Sequence, residues 1–314
     1  MNTDARLWAI ILAGGGGKRM IPLTRAMHGG DLPKQFAALS GPRSLLQTTI
    51  DRIAGMVPTD RTLVVVTEEL EAATTRQLED VPGVRLVVQP DDRGTAPGLL
   101  LALAQVVRHD RCARVIVLPS DHHVPVPEPL LAAIERAAAA SRWDEDEVLT
   151  LGAVPDDVDL EYGWIVPGHF LRRSGVRAVI RIDAPSSGVH RMPAGDPLWA
   201  TSMVVATATA LWRRVADSFP VHAAAIERVG AQGASSSRVT VRRLREPYAR
   251  LAAVDYDAAL AATPAVLSVV SFAGAGWCDL DTPRRVLQRM GNTPELRHLL
   301  RRGMGAGTAA GQRP

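Results

Sequence analysis

Aromatic residues are scarce in this chain, at 4% of its 314 residues. They offer little material for the stacking platforms that bind single-stranded nucleic acid, and no zinc-finger spacing or basic zipper occurs, so nucleic-acid binding is not expected. Cysteine is nearly absent. Cys112 and Cys278 are too few and too far apart for a disulfide framework, no Cys-x-x-Cys metal pattern exists, and both read as buried reduced thiols. No apolar run approaches the ~18 residues of a membrane span, and the N-terminus lacks the charged region, apolar stretch and cleavage site of a secretion signal. A cytoplasmic protein without membrane attachment is expected. The sharpest shortage is lysine: of 36 basic residues only Lys18 and Lys34 are lysine, in a chain of net charge +3. The diffuse arginine excess, with clusters such as Arg242-Arg243-Arg245, suits small polyanionic substrates.

Both lysines fall in one signature. Leu12-Ala13-Gly14-Gly15-Gly16-Gly17-Lys18-Arg19-Met20 follows the apolar run Ala9–Leu12, and Pro33-Lys34-Gln35-Phe36 comes shortly after. Consecutive glycines let the backbone turn tightly and present N–H groups as an anion-binding nest. The order of residues fits neither the P-loop, which needs Gly-Lys-Ser/Thr, nor the dinucleotide fingerprint. A nicotinamide-binding Rossmann protein would place an acidic residue about 20 positions after the loop, where the cationic Lys34 stands instead.

Through about residue 150 short β-branched runs alternate with amphipathic stretches, predicting a parallel sheet flanked by helices. The expected strands are Ala9–Leu12, Thr62–Thr67, Arg85–Gln89 and Arg114–Pro119, with helices at Ser44–Ala54, Glu68–Glu79, Ala96–Arg108 and Pro127–Ser141. In the helix Ala96–Arg108, Leu99, Leu100, Leu103, Val106 and Val107 mark one buried face. Beyond residue 150 the strands Val148–Val154, Trp164–Pro167, Val176–Ile182, Leu198–Val205 and Ala265–Phe272 lie between longer irregular segments. Further helices are expected at Ala208–Asp217, Val221–Arg228, Asp255–Ala262 and Pro283–Met290, and the glycine-rich segment Gly303–Pro314 reads as a disordered tail.

Four motifs in order carry a resemblance: the glycine loop, Pro33-Lys34-Gln35-Phe36, Gln89-Pro90-Asp91-Asp92-Arg93-Gly94-Thr95-Ala96-Pro97 and Leu118-Pro119-Ser120-Asp121-His122. With Tyr162-Gly163-Trp164-Ile165, Asp255-Tyr256 and Gly276-Trp277-Cys278-Asp279-Leu280, the chain resembles the sugar-1-phosphate nucleotidyltransferases, and within them the mannose-1-phosphate guanylyltransferases. The resemblance implies a Rossmann-like three-layer α/β sandwich around a mostly parallel mixed sheet. It also implies a single domain over residues 1–302, with a nucleotide-binding half to about 150 and a sugar-phosphate half over about 151–290.

The implied reaction joins a nucleoside triphosphate, GTP favoured, to a sugar 1-phosphate, mannose 1-phosphate favoured, releasing pyrophosphate. By resemblance Arg19 neutralises the departing pyrophosphate and Lys34 the α-phosphate, while Leu12, Gly14, Gly15, Gly17, Gln89, Gly94 and Thr95 contact the nucleotide. Gln89 reads the base, and Gly94 lets it pack on bare backbone. Tyr162, Gly163 and Asp183 fall to the sugar phosphate, and Arg181 or Arg191 could supply the charge of the lysine that is missing at Ala184. Asp121 and Asp279, each after an apolar strand, are the implied Mg²⁺ ligands. His122-His123 has no third ligand at a recognisable spacing and is read as supporting or solvated. Self-association to a homo-oligomer is left open.

The chain departs from that family on the sugar side. Asp183-Ala184-Pro185 stands where Glu-Lys-Pro is usual, Trp199-Ala200-Thr201-Ser202 replaces Trp-Asn-Ser-Gly, and Asp281 occupies an expected glycine position. The loop between Arg25 and Pro33 is also longer than usual. These changes admit three readings: a transferase for a different sugar phosphate, a slow guanylyltransferase with compensating arginines, or a nucleotide-binding regulatory homologue with little turnover.

Overall fold

The computed structural model describes residues 6–39, 41–142, 144–157, 159–171, 175–183, 192–230, 237–263 and 267–290. The expected tail at 303–314, the start of the strand expected at 265, and Ala184, Pro185 and Arg191 lie outside them.

Eleven strands occur among the described residues: β1 (Leu7–Leu12), β2 (Thr62–Thr67), β3 (Arg85–Gln89), β4 (Arg114–Pro119), β5 (His122–His123), β6 (Val148–Ala153), β7 (Trp164–Phe170), β8 (Val176–Asp183), β9 (Leu198–Thr207), β10 (Leu267–Phe272) and β11 (Cys278–Asp279). Nine form one sheet in the order β3-β2-β1-β4-β9-β6-β10-β8-β7, and β5 pairs with β11 separately. The sheet is less parallel than the sequence suggests. Strands β3, β2, β1 and β4 are mutually parallel, but β9 runs antiparallel between β4 and β6, and β8 and β7 are antiparallel additions beyond β10. Only β6–β10 is parallel in the second half.

Strand β1 shows why the central strands read as unbroken apolar runs. Leu7, Ala9 and Ile11 enter one core, beside Leu46 and Ile50 of the helix Leu45–Ile53 and Ile134 of the helix Glu128–Ala140. Trp8 and Ile10 enter the other, with Leu99 and Leu103 of the helix Thr95–His109. A strand covered on both faces has no polar face to alternate with.

The helix Thr95–His109 buries more than the single stripe expected, because helices Ala208–Ser218 and Pro220–Gly230 pack over it and Leu101 and Ala102 are also buried. Ser44 starts the helix Leu45–Ile53 with a reciprocal capping box to Gln47. The expected helix at Glu68–Glu79 is a 3₁₀ turn, Glu68–Leu70, followed by the shorter α-helix Glu71–Gln77. A helix at Ser237–Ala249 was not expected, since its arginines read as a charge cluster and Pro247 sits inside its last turn. Its buried Val241, Leu244 and Tyr248 supply the helical spacing in retrospect. Cys112 is exposed, at the turn before β4, rather than buried as expected; Cys278 is buried. No helix among the described residues is long and apolar enough to cross a membrane.

Candidate active site

The parallel strands β1, β3 and β4 point their C-terminal ends to one edge of the sheet, the edge where open α/β sheets bind ligands. The glycine loop leaves β1 there, Gln89 closes β3, and Asp121 follows β4. Gly17 adopts φ +58°, and a Cβ on it would come 2.9 Å from the Lys34 backbone nitrogen. Only glycine permits that turn and that approach together. Gln35, to which the sequence assigned no role, ties the loop down: its Nε2 donates to Ala13 O at 2.9 Å and Gly15 O at 2.8 Å.

Lys34 lies in a 3₁₀ turn, Lys34–Phe36, anchored by the buried Phe36 ring. Its ammonium reaches Asp121 Oδ2 at 2.9 Å, Asp279 Oδ1 at 3.1 Å and Asp281 Oδ1 at 3.0 Å. Burial by itself would lower the Lys34 pKa, but the charges of Asp121, Asp279 and Asp281 outweigh it and hold the ammonium well above the ordinary lysine range. Burial likewise works to raise Asp121, and Lys34 overrides it, so the carboxyl stays below its usual value.

The meeting of Asp121 with Asp279 is the work of the small β5–β11 ladder, which pairs His122 with Asp279 and His123 with Cys278. Arg52 Nη2 donates to His122 O at 3.1 Å, and Trp277 Nε1 donates to His122 Nδ1 at 3.1 Å. Burial first of all pushes the His122 pKa down, favouring the neutral ring. A neutral ring accepting at Nδ1 keeps its proton on Nε2, which makes His122 a donor toward the site. Ligand atoms of Asp121, His122 and Asp279 lie within 4.8 Å of one another.

Two cavities adjoin at this cluster. The first, about 510 Å³, is lined by every residue expected at the nucleotide: Leu12, Gly14, Gly15, Gly17, Gln89, Gly94 and Thr95, together with Lys34 and Asp121. Gln89 is buried, and its Oε1 has no hydrogen-bond partner among the described residues. Such an orphan costs about 1–3 kcal/mol until a donor arrives. Gly94 answers to a different constraint from the one expected: at φ +79° its Cβ would overlap the Val254 carbonyl, so the close approach is by protein backbone. Thr95 spends its N–H and hydroxyl on Asp255 Oδ1, at 2.9 and 3.0 Å, rather than leaving the hydroxyl free. Arg19 is largely exposed, lines the second cavity, and binds Asp281 at 2.7 Å. Lys18 lies on the exposed loop and lines neither cavity.

The second cavity, about 250 Å³, includes Tyr162 and Gly163 as expected. Arg181 and Asp183 lie apart from both cavities. They pair with each other, Arg181 Nε to Asp183 Oδ1 at 2.7 Å, and neither lines either cavity; Ile182 between them does. Successive residues of a strand point to opposite faces, and β8 sends Ile182 inward. Residues of the wall to which the sequence gave no site role include Ser202, Asp257, Asp281 and Arg285, and His122, read as supporting or solvated, lines it as well. Ser202 is the one non-glycine residue among those described with positive φ, +54°, at a cost on the order of 1 kcal/mol. Its hydroxyl donates to Asp257 Oδ2 at 2.9 Å, and its carbonyl accepts from the Tyr256 hydroxyl.

Fold and site together define a nucleotidyltransferase-like α/β protein with a mixed sheet. The chain belongs to the nucleotidyl transferase family, whose model matches residues 8–218. It is 32% identical over 209 residues, 63% of this chain and 42% of the relative, to a mannose-1-phosphate guanylyltransferase of Escherichia coli. It is 28% identical over 274 residues, 86% of this chain and 56% of the relative, to the xanthan biosynthesis protein XanB of Xanthomonas campestris pv. campestris. The chain thus spans about half the length of these curated relatives. A solved structure from Thermus thermophilus, described as a mannose-1-phosphate geranyltransferase, superposes with TM-score 0.75 at 26% identity over 92% of this chain and 80% of that one.

Proposed function

We propose that this chain is a sugar-1-phosphate nucleotidyltransferase on a Rossmann-like three-layer sandwich, joining GTP to mannose 1-phosphate to give a nucleotide sugar and pyrophosphate. The observation that carries the reading is that Asp279, His122, Ser202 and Asp257 belong to the walls of both cavities, so the Lys34 cluster lies at their seam. Two substrates lodged one in each cavity would bring their phosphates to that seam.

In the reaction a phosphate oxygen of the sugar 1-phosphate attacks the α-phosphorus; one P–O bond forms and the bond to pyrophosphate breaks. No protein nucleophile is needed, and catalysis is positioning with charge stabilisation. Backbone N–H groups of the glycine loop hold the triphosphate, Lys34 meets charge on the α-phosphoryl oxygens, and Arg19 swings from Asp281 to the leaving pyrophosphate. Asp121 and Asp279 supply hard oxygen donors already converging on a cation, the Lys34 ammonium, and this donor set fits Mg²⁺. When bound there the ion would supply positive charge against the negative charge that develops at the reacting phosphates. His122, donating through Nε2, would hold a phosphate oxygen between the cavities. The unpaired Gln89 Oε1 supports guanine, whose N1–H and 2-amino group present adjacent donors.

A pyrophosphate-release assay over a grid of nucleoside triphosphates and sugar 1-phosphates with Mg²⁺ tests the reading, with the largest rate expected for GTP and mannose 1-phosphate. Tight GTP binding with no turnover anywhere on the grid would favour the regulatory alternative. That alternative draws on the pairing of both Lys34 and Arg19 with Asp281.

A further inference from the structure

The second cavity contains one carboxylate to which the protein brings no cation among the described residues. Most of its other polar side chains are committed: Thr201 donates to Leu151 O at 2.6 Å, the Tyr162 hydroxyl meets Cys278 Sγ at 3.1 Å, and Trp277 donates to His122, which leaves His122 only its Nε2 donor. Arg285 is held by Asp159 at 2.9 Å and lies over the Tyr162 ring. Asp279 and Asp281 face Lys34. Asp257 differs. One of its oxygens accepts from Ser202, the other accepts no hydrogen bond, and no cation pairs with the carboxylate among the described residues.

The local backbone is arranged around that carboxylate. Ser202 stays in the left-handed region, where glycine would be relaxed, and so aims its hydroxyl at Asp257. Tyr256, the residue before Asp257, fastens the same turn through the Ser202 carbonyl. Beside it in the wall, Ala200 offers no polar atom beyond its backbone. Desolvation, then the charge of Asp255, raises the Asp257 pKa to about 6, against the Ser202 hydrogen bond that lowers it. A carboxylate kept in such surroundings without a counter-ion gains from ligand donors.

We propose that Asp257, oriented by Ser202, is the residue that reads the sugar ring, accepting hydrogen bonds from its hydroxyl groups. This rests on the transferase reading above, and assigns to this pair the polar recognition that Ala200 cannot give. Ribose hydroxyls share the chemistry, and Asp257 also borders the first cavity; the test therefore separates the two sources.

Steady-state kinetics with mannose 1-phosphate and GTP are measured for wild type, Asp257→Asn, Asp257→Ala and Ser202→Gly, each checked by its melting curve and by calorimetric titration with GTP. Loss of a hydrogen bond to a charged acceptor predicts a sugar KM raised about 10- to 100-fold in the Asp257 variants, with kcat and GTP affinity little changed. Ser202→Gly, which relieves its own backbone, is expected to raise the sugar KM about 3- to 5-fold. Monodeoxy sugar 1-phosphates should include one that is penalised in wild type and not in Asp257→Ala. An unchanged sugar KM in the folded Asp257 variants overturns the inference alone. A penalty that instead appears with 2′- or 3′-deoxy GTP and vanishes in Asp257→Ala assigns the residue to ribose and also overturns it. A wild-type protein inactive on every sugar 1-phosphate overturns the transferase reading and this inference together.

Discussion

Asp281 Oδ1 lies 3.0 Å from the Lys34 ammonium, and its other oxygen is 2.7 Å from Arg19. One carboxylate thus holds both cations to which the mechanism gives phosphate-binding work. The Lys34 side chain is 8% exposed and that of Arg19 74%, so the first contact is strong and the second is screened by solvent.

Removing this competitor should strengthen triphosphate binding. Asp281→Asn is expected to lower the GTP Kd about 3- to 10-fold, since an incoming phosphate no longer displaces a carboxylate from Lys34. Calorimetry at two salt concentrations checks this, and weaker GTP binding in the variant would show that Asp281 helps rather than competes.

Lys34→Ala should reduce turnover about 10²- to 10³-fold or more, the scale of losing a preorganised charge at a reacting phosphoryl group. It also leaves Asp121, Asp279 and Asp281 facing one another without their ammonium. The variant should therefore melt below wild type in chelator, and Mg²⁺ should raise its melting temperature more than that of wild type. Wild-type rates would remove Lys34 from the mechanism.

The glycines separate by what stands opposite them. Gly94→Ala meets the Val254 carbonyl and Gly17→Ala the Lys34 backbone, both at positive φ, so each should lose about 2–4 kcal/mol of stability. Gly15 has nothing within 4 Å of a Cβ. Gly15→Ala should therefore melt like wild type, and any loss it shows in GTP affinity reports on the loop's approach to phosphate. Thermal melts of the three variants, each with and without GTP, make the comparison.

Asp257 gives stability a pH dependence. Its folded-state carboxyl is raised from the usual 3.8 to about 6, first by desolvation and then by Asp255. Between those values the folded protein holds a proton that the unfolded chain releases, so this contribution to stability falls as pH rises and is lost entirely above about 6. The loss amounts to up to ~3 kcal/mol. Asp257→Asn cannot ionise and should melt several degrees above wild type at pH 8, with the gap closing near pH 4. A gap independent of pH would contradict the shift.

The nucleotide half was legible because β1 to β4 are apolar on both faces and its loop residues lie next to the strand ends that place them. The rest depended on distance. Asp281 stood out in the sequence as a departure, but its partners Lys34 and Arg19 lie near the other end of the chain. Strands β5 and β11 are two residues each, too short for any period to show. On β8 it is Ile182, between Arg181 and Asp183, that lines the second cavity, a matter of register that one residue decides. The Ser202–Asp257 pair needs both a left-handed turn in β9 and the start of the helix Tyr256–Ala262 brought against it.

The β5–β11 ladder also sets an order of completion. As the chain leaves the ribosome, β1 to β4 and their glycine loop emerge early and can pair among themselves, while Trp277, Cys278 and Asp279 arrive only after β10. Until then Asp121 has no facing carboxylate, and His122 lacks the indole that fixes its proton. The walls of both cavities draw on residues as late as Asp279, so on the transferase reading chemistry is reserved for molecules synthesised past residue 279.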